Sequence, residues 1–600
     1  MTISTPAYEA SPPKTGIAGL LESWRADIVS GFLVFLIALP LCLGIAMASG
    51  FPPQAGIITA IVGGLLVSRI NGSFVTVMGP AAGLIVVILD SVQELGQGDA
   101  LAGYRYTLAA IFFAGLIQIL MGAMKAGKMS AFFPSSAVHG MLAAIGIIIM
   151  SKQIHVMLGV KPDAQSLFQT IGAIPASLRD LNPEVAIIGF LGLGLLALWT
   201  LVKSPTLKMI PAPLVVVLVG MALGKYFDLE DEHKYLFLPN AVFLPHHEFT
   251  IGPKLLVTLP QNFFAGFAFP DFSRSLHLVF WQQVFAIALV GSLESLLSAA
   301  AVDKLDPHRR TSDLNRDVAA VGIGNAISGM IGGLPMIAEI VRSSANVNNG
   351  AKTGWANFFH GLFLLVFVAL FPKLIHEIPL ASLAALLVFT GYRLASPREF
   401  KKTLEIGWDQ LGVFVITIIG VLATDLLIGV AIGVMAELLF HFWRSIDWRN
   451  VVRLDRSIEE REPGVYHVQV AGAAFFGNYL GLKSDLAAIP DGKTVVFDLS
   501  GTSTVDHTVM ENLHHFCEDY LNKGGRAEIQ GLDLLKPTSN HPLAPRKRPA
   551  FTQARSFARE DRSRAEPMEP SVAPLISLFF ALYFALACVG ALLGLDFLAR

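Results

Sequence analysis

The chain has 600 residues, of which 53% are hydrophobic and only 15% are charged, and its formal net charge is -2. A soluble globular protein carries about 25% charged residues, so this composition excludes an ordinary soluble protein. The charges lie in loops and form no basic face for nucleic acid. Cys42, Cys517 and Cys588 are too scattered for a disulfide framework or a metal site.

Long apolar runs predict a membrane domain over residues 25–445, after a cytoplasmic N-terminal segment at 1–24. A helix needs roughly 17–25 apolar residues to cross the hydrocarbon core, and shorter runs suggest broken or re-entrant segments. The segments number fourteen if the last run turns near Asp425. They are Ile28–Ser49, Ala55–Ile70, Gly79–Val92, Tyr106–Met124, Phe132–Met150, Val185–Val202, Pro213–Phe227, His277–Val302, Val318–Ile331, Pro335–Asn346, Trp355–Phe371, Pro379–Leu394 and the double-length Gly412–Trp443.

The distribution of Lys and Arg predicts the orientation of these segments. Basic residues concentrate in every second loop, for example at Lys125 and Lys128, whereas the loop after Phe227 is acidic. Because cytoplasmic loops carry the excess of Lys and Arg, the N-terminus and the region after Arg453 are predicted to be cytoplasmic.

The chain after the membrane domain reads as soluble. Alternating strands and an amphipathic helix at His507–Asn522 predict a small α/β domain over residues 455–535. Residues 536–570 are rich in Pro and Arg and predict a basic linker. Residues 571–596 contain an apolar run without charge, which predicts an additional transmembrane helix; an apolar tail that is buried or lies on a surface is the alternative.

Two interrupted segments predict the binding site. Ser73–Gly83 and Gly332–Glu339 each have an extended or glycine-rich lead and then a proline, Pro80 or Pro335, suited to the first turn of a helix. Paired broken helices in the two halves of a bundle mark transporter sites, because their N-termini point partial positive charge at the bilayer midplane. An anion site is therefore predicted. The alternative is that the prolines only kink ordinary spans.

Ionisable residues inside the membrane segments indicate which groups act there. Arg342 follows Pro335 in the second broken segment, with Glu339 three residues before it, and Glu294 lies in the middle of another span. Such residues are costly in lipid and are functional candidates. The alternatives are an arginine that reaches the cytoplasmic surface and a structural Glu339–Arg342 pair. One arginine, two glutamates and a bound anion leave excess negative charge, so a cation or a proton is expected to enter with the anion.

The motifs around these residues resemble the sulfate permease (SulP) family of anion transporters over roughly residues 15–532. The similarity rests on four motifs, namely Leu39–Ala46 with the following Pro52–Gly56, Gly79-Pro80, Gly332–Pro335 and Ala423–Val430. A STAS-like domain downstream strengthens it. The resemblance implies an all-α membrane fold of seven plus seven inverted segments, divided into core and gate, in a homodimer.

The resemblance also implies site residues on the first, third, eighth and tenth segments. The implied substrate-binding residues are Leu41, Ala81, Ala338, Glu339, Ile340 and Arg342. Glu294 and Ser298 fall where sodium is held in Na⁺-coupled members. Leu41 and the run Pro335–Glu339 depart from the family pattern, which changes the pocket. Thr508 falls where stand-alone STAS proteins are phosphorylated, although an ordinary Thr at a helix N-terminus is the simpler interpretation.

These observations predict a secondary active transporter of a small inorganic anion in the cell inner or plasma membrane. Bicarbonate ranks ahead of sulfate, coupling is to Na⁺ or H⁺, and the expected partners are the anion, this cation, membrane lipid and a second copy of the chain. No cofactor is expected beyond Na⁺. A proton-coupled nucleobase permease of the same fold is the alternative. An enzyme is rejected because no Cys/His/Asp cluster has zinc spacing.

Overall fold

The computed structural model describes residues 13–549, apart from 128–133, 165, 205–209, 237–247, 260–265, 309, 425, 445–453, 487 and 523. Within these residues, fourteen helices overlap the predicted segments. They are α1 (Gly16–Ala48), α2 (Pro53–Val62), α3 (Ile85–Gly96), α4 (Ala100–Ala123), α5 (Ser135–Met157), α6 (Pro183–Trp199), α7 (Ala212–Tyr226), α8 (Leu278–Leu305), α9 (Leu314–Ile331), α10 (Ile340–Asn348), α11 (Trp355–Leu370), α12 (Leu380–Leu394), α13 (Trp408–Ala423) and α14 (Leu426–Arg444).

The helices differ in length. Among the described residues, six helices are long and apolar enough to cross a membrane unaided. A seventh span forms if α6 is joined to the short helices at Leu167–Arg179, from which it is bent by 112°. Helix α2 continues through a π-helical turn at Gly63–Val67. Helices α2, α3 and α10 are the three shortest of the fourteen.

The chain divides into two compact units, one of which holds residues 11–127 and 145–395. One of its core clusters is built mainly from α1, α2, α7, α11 and α12. Its helices approach closely through glycine: a Cβ on Gly115 of α4 or on Gly322 of α9 would lie 2.6 Å from the carbonyl oxygen of the other residue. Small residues bring helix backbones together where lipid supplies no hydrophobic driving force.

A pair of three-residue strands lies inside this unit. Strand β1 (Met78–Pro80) pairs antiparallel with β4 (Met336–Ala338), and Met78 lies opposite Ala338. A 3₁₀ turn at Ala82–Leu84 then leads into α3, and α10 begins at Ile340. Because the strands are antiparallel, the helices that follow them leave the pair in opposite directions.

The prolines of the two broken segments do not occupy the first turn of a helix, and that prediction is wrong. Pro80 ends β1, and Pro335 directly precedes β4. The proline φ near -65° fits extended backbone as well as helix, and a residue before proline is biased towards extended conformations. The helices therefore start only after the strand pair, which brings Pro80 opposite Met336.

Strands β2 (His233–Leu236) and β3 (Glu248–Ile251) form a separate hairpin-like pair in the same unit. Tyr235 in β2 donates a hydrogen bond to Asn182 Oδ1 over 2.8 Å, directly before α6. This links the strand pair to the start of a membrane helix.

The second unit holds residues 128–144 and 396–600, and its C-terminal part is an α/β domain. The strands are β5 (Asp455–Glu462), β6 (Val465–Ala474), β7 (Thr494–Val505), β8 (Arg526–Gln530), β9 (Lys536–Pro537) and β10 (Arg546–Lys547). They form one sheet in the order β5-β6-β7-β10-β9, with β8 also paired to β7. Helices α15 (Tyr479–Leu486) and α16 (His507–Asn522) supply much of its apolar core.

This sheet continues past residue 535, where the sequence placed the start of the linker. Strand β8 pairs only with the first part of β7, from Thr494 to Asp498, and β10 pairs with Thr504 and Val505 on the rest of that long strand. An unpaired strand edge attracts another strand. Residues 571–596, for which a further helix was predicted, and Asp425, near which the last apolar run was predicted to turn, lie outside the described residues.

Helix α16 contacts the N-terminal end of α5 within the second unit. The backbone N–H of Ser135 donates to Thr508 Oγ1 over 3.2 Å, and Ser135 Oγ donates to Glu511 Oε2 over 2.6 Å. Thr508 is buried, and its hydroxyl therefore serves as an acceptor for the end of a membrane helix.

Candidate functional site

The strand pair is fixed from several sides. The N–H of Ala338 donates to Ser295 Oγ of α8 over 3.1 Å, and the N–H of Met336 donates to Asn325 Oδ1 of α9 over 2.6 Å. On the other side, the N–H of Val77 donates to Ser343 Oγ of α10 over 2.8 Å. These bonds hold the start of α10 in one position, with its first backbone N–H groups left without intrahelical acceptors.

Arg342 is in the first turn of α10, and its side chain is 1% exposed. The guanidinium donates through Nη2 to the carbonyl oxygen of Pro80 and through Nη1 to Cys42 Sγ over 3.5 Å. A Cβ on Gly79 would lie 2.6 Å from Nη1, so the glycine makes room for the guanidinium. The side chain therefore points into the protein, and the alternative of an arginine that reaches the cytoplasmic surface is wrong.

Glu339 precedes α10, and its carboxylate lies between the two broken helices. Oε1 is 3.7 Å from Arg342 Nη2, and the backbone N–H of Ala82 interacts electrostatically with the carboxylate. Ala82 begins the turn that leads into α3. The turn into α3, where the sequence predicted room for a substrate anion, thus already has an internal carboxylate near it.

Glu294 lies on α8 and faces the same turn from the other side. A Cβ on Gly83 would lie 1.6 Å from Glu294 Oε1, so the absence of a side chain at Gly83 creates the space that this carboxylate fills. The residue is 6% exposed, and within the described residues Oε2 has no hydrogen-bond partner. A buried carboxylate without a donor is unfavourable unless it takes up a proton or a cation.

The described residues contain no group of three or more His, Cys, Asp and Glu side chains that could hold a metal ion. A cation at Glu294 would therefore take its other ligands from hydroxyl groups, backbone carbonyls or water. Oxygen ligands of this kind suit hard cations such as Na⁺. Ser298, one turn along α8, is half-buried and lies on the same helix face.

The other predicted substrate-binding residues differ in how deeply they are buried. Ala81 and Ala338 are buried at the strand pair, beside Arg342 and Glu339. Ile340 is 42% exposed at the first position of α10. Leu41 is half-buried and packs against the apolar core cluster of α1, α2, α7, α11 and α12, next to Cys42 in the chain.

Four residues of the site were missed from the sequence: Cys42, Gly79, Gly83 and Ser295. The two glycines stood inside the motif Gly79–Gly83, and their spacing was the available signal that two side chains press against this turn. Nothing in the sequence distinguished Ser295 from Ser298.

Two broken helices that meet through an antiparallel strand pair, in a chain with long apolar helices, are typical of a membrane transporter. Residues 24–419 match the Sulfate permease family, and the chain belongs to that family. It is an anion transporter, and the family's members are transporters rather than enzymes.

Curated relatives cover most of the chain. It is 25% identical to the "Putative sulfate transporter YvdB" of Bacillus subtilis over 519 residues, 85% of this chain and 92% of that protein. It is 24% identical to the "Bicarbonate transporter BicA" of Picosynechococcus over 529 residues, 84% of this chain and 88% of that protein.

Solved structures show the same fold. The transmembrane domain of a cyanobacterial bicarbonate transporter, BicA, matches with a TM-score of 0.54 at 22% identity, over 69% of this chain and 97% of that chain. The overall structure of SLC26A9 matches with a TM-score of 0.60 at 16% identity, over 85% of this chain and 84% of that chain. The C-terminal sheet is consistent with a STAS domain.

Proposed function

We propose that this chain is a secondary active transporter of a small inorganic oxyanion, bicarbonate ahead of sulfate, coupled to Na⁺ or H⁺ and working by alternating access. The observation that carries the proposal is the buried carboxylate of Glu294, which has no described hydrogen-bond donor at Oε2 and lies against the turn that leads into α3. A group in that state requires a positive partner, and the coupling ion supplies one.

The charges at the site support a monovalent substrate. Arg342 and Glu339 form a pair whose charges cancel, and Glu294 contributes a further negative charge when it is ionised. The partial positive charge at the N-terminus of α10 is about half an elementary charge. The two negative charges of sulfate would exceed this partial positive charge by more than the single charge of bicarbonate does. A relative named for sulfate and one named for bicarbonate are similarly distant in sequence, so the names of the relatives do not decide between the two anions.

The proposed substrate contacts are Arg342, Glu339 and Ile340, the small residues Ala81 and Ala338 at the strand pair, and Leu41 on α1. Ile340 and Val341 are exposed at the start of α10, so an anion can reach the helix N-terminus there. Glu294 and Ser298 are proposed to hold the cation. The nucleobase permease alternative is not proposed, because the chain belongs to the sulfate permease family.

The remaining proposals concern location and assembly. Basic loops support a position in the cell inner or plasma membrane with the N-terminus and the STAS-like domain in the cytoplasm. A homodimer is proposed from the resemblance.

Uptake of radiolabelled bicarbonate and sulfate into proteoliposomes, with Na⁺ and pH gradients imposed separately, tests this function. We expect bicarbonate uptake that one of the two gradients drives. In Glu294→Gln this dependence should disappear, whereas Glu94→Gln, an exposed glutamate on α3, should behave as the parent protein. Uptake that responds to neither gradient would remove the coupling proposal. Uptake of uracil without either anion would overturn the function.

A further inference from the structure

Helix α5 carries a lysine that faces a narrow cavity beside the candidate site. The cavity is lined by α1, α3 and α5, through residues that include Ala48, Ile85, Leu89, Ile149 and Lys152. Apart from Lys152 and its neighbour Gln153, the lining is apolar. Ile85 is the first residue of α3 and directly follows the turn at Ala82–Leu84, so the cavity reaches the end of α3 that lies at the site.

Lys152 forms no ion pair among the residues that the structure describes. The carboxylate that acts on it electrostatically is that of Asp90 on α3. Asp90 Oδ2 accepts a hydrogen bond from Gln283 Nε2 of α8 over 3.0 Å, and Gln283 Oε1 in turn accepts one from Ser91 Oγ over 2.6 Å. Asp90 is thus held by α8, while the ammonium group of Lys152 keeps donors for another acceptor.

A lysine ammonium group beside apolar side chains in a membrane segment costs free energy, so its presence at position 152 indicates a function. Lysine in a membrane segment marks an ion or substrate pathway by default. Apolar walls strengthen the field of a single charge, because little water screens it. The acceptor that such a lysine suits is a small anion on its way to or from the start of α3.

We propose that Lys152 is an anion-recognition residue of the access route between one face of the membrane and the candidate site. The inference rests on the proposed function. Lys152 lies in the last quarter of α5, and that helix follows a loop with Lys125 and Lys128, which the proposed orientation places in the cytoplasm. The route therefore opens on the external face. An anion that enters it meets Lys152 before it reaches the N-terminus of α10.

The test compares Lys152→Gln and Lys152→Arg in proteoliposomes, with the initial rate of bicarbonate uptake measured against the external bicarbonate concentration. The charge-removing variant should raise the KM for external anion about tenfold, with a much smaller change in kcat. Lys152→Arg should keep the parent KM. Lys254→Gln, an exposed lysine in the loop before α8, is the matched control and should leave both constants unchanged.

A second arm keeps the test informative if Lys152→Gln is poorly folded. In Lys152→Cys, a membrane-impermeant cationic methanethiosulfonate applied outside should restore the low KM, and an impermeant anionic reagent should raise it further. The parent protein under the same reagents is the control for the native cysteines, of which Cys42 and Cys517 are buried. A cysteine that does not react from outside, or adducts of opposite charge with the same KM, would overturn the inference.

Uptake by the wild-type protein separates a failure of the proposed function from a failure of the role proposed for Lys152. If the wild-type protein takes up no bicarbonate or sulfate, the proposed function fails. If it takes up bicarbonate and the KM is the same with and without charge at position 152, only the role of Lys152 fails.

Discussion

Gly83→Ala tests whether the turn before α3 is shaped to admit the carboxylate of Glu294. In the structure a Cβ at position 83 would lie 1.6 Å from Glu294 Oε1 and 2.4 Å from its carboxyl carbon. No carbon and oxygen atoms can remain that close without a bond. Either the carboxylate rotates away from the turn or the turn moves away from α8.

Both responses have a cost that can be estimated. A side chain forced off its rotamer costs about 0.5–1.5 kcal/mol, and an overpacked core costs about 1–3 kcal/mol. Because Glu294 is buried, we expect Gly83→Ala to lower the stability of the protein by about 1–2 kcal/mol. We also expect the cation dependence of uptake to be lost, because the carboxylate no longer lies against the turn.

A double-mutant cycle with Glu294→Ala isolates the contact. In the Glu294→Ala background the added methyl group meets no carboxylate, so the cost of Gly83→Ala should fall to near zero, and the coupling free energy should be about 1–2 kcal/mol. Unfolding of the detergent-solubilised protein is the assay. Gly194→Ala on α6, where a Cβ would meet no atom within 4 Å, is the control. Costs that simply add in the double mutant would refute the reasoning.

Three further predictions concern the arginine and the C-terminal domain. Arg342→Lys keeps the charge but lacks the planar fork that reaches both Pro80 and Cys42, so uptake should fall at least tenfold while gel filtration shows an intact protein; normal uptake would contradict the assigned contacts. Burial raises the pKa of Asp506 to about 7, although the N–H groups of Val509 and Phe476 donate to it. Its contribution to stability is therefore full below pH 4 and is lost as the pH rises through 7; melting of the C-terminal domain should occur at higher temperature at pH 5 than at pH 8, and Asp506→Asn should reduce the difference. A double-mutant cycle between Ser135→Ala and Glu511→Gln should give a coupling of about 1–2 kcal/mol, and strict additivity would mean that their 2.6 Å hydrogen bond does not hold α16 to α5.

The helices could be predicted because their signals are local. A helix that crosses the membrane must be apolar along its own sequence, and the loops carry the charge bias that orients it. The pairing of Met78 with Ala338 has no such local mark, because three residues in each half of the chain give no hydrophobic period. The prolines at 80 and 335 were visible, but their φ angle permits both the helix start that was predicted and the strand that forms.

The site could be predicted as a set of charged residues but not as a set of contacts. Arg342, Glu339 and Glu294 were found because ionisable groups are rare in apolar segments. Ser295 and Ser298 lie on the same helix three positions apart, and only the packing of α8 decides that Ser295 receives the N–H of Ala338. The electrostatic interaction between the Ala82 N–H and Glu339 joins residues from opposite halves of the chain, so it depends on the tertiary fold.

Because Arg342 and Glu339 form an internal pair, binding of the proposed anion and binding of the proposed cation should strengthen each other. Since that pair has no net charge, a bound anion is attracted mainly by the N-terminus of α10, which offers only about half a charge. An ionised Glu294 on the other side of the α3 turn repels the same anion. A cation or proton on Glu294 removes this repulsion and should therefore tighten anion binding. Because linkage is reciprocal, the anion must tighten cation binding by the same factor.

Calorimetric titrations of Na⁺ with and without bicarbonate, and of bicarbonate with and without Na⁺, measure both factors. For sodium as the coupling ion the two should agree and exceed one, and both should fall to one in Glu294→Gln.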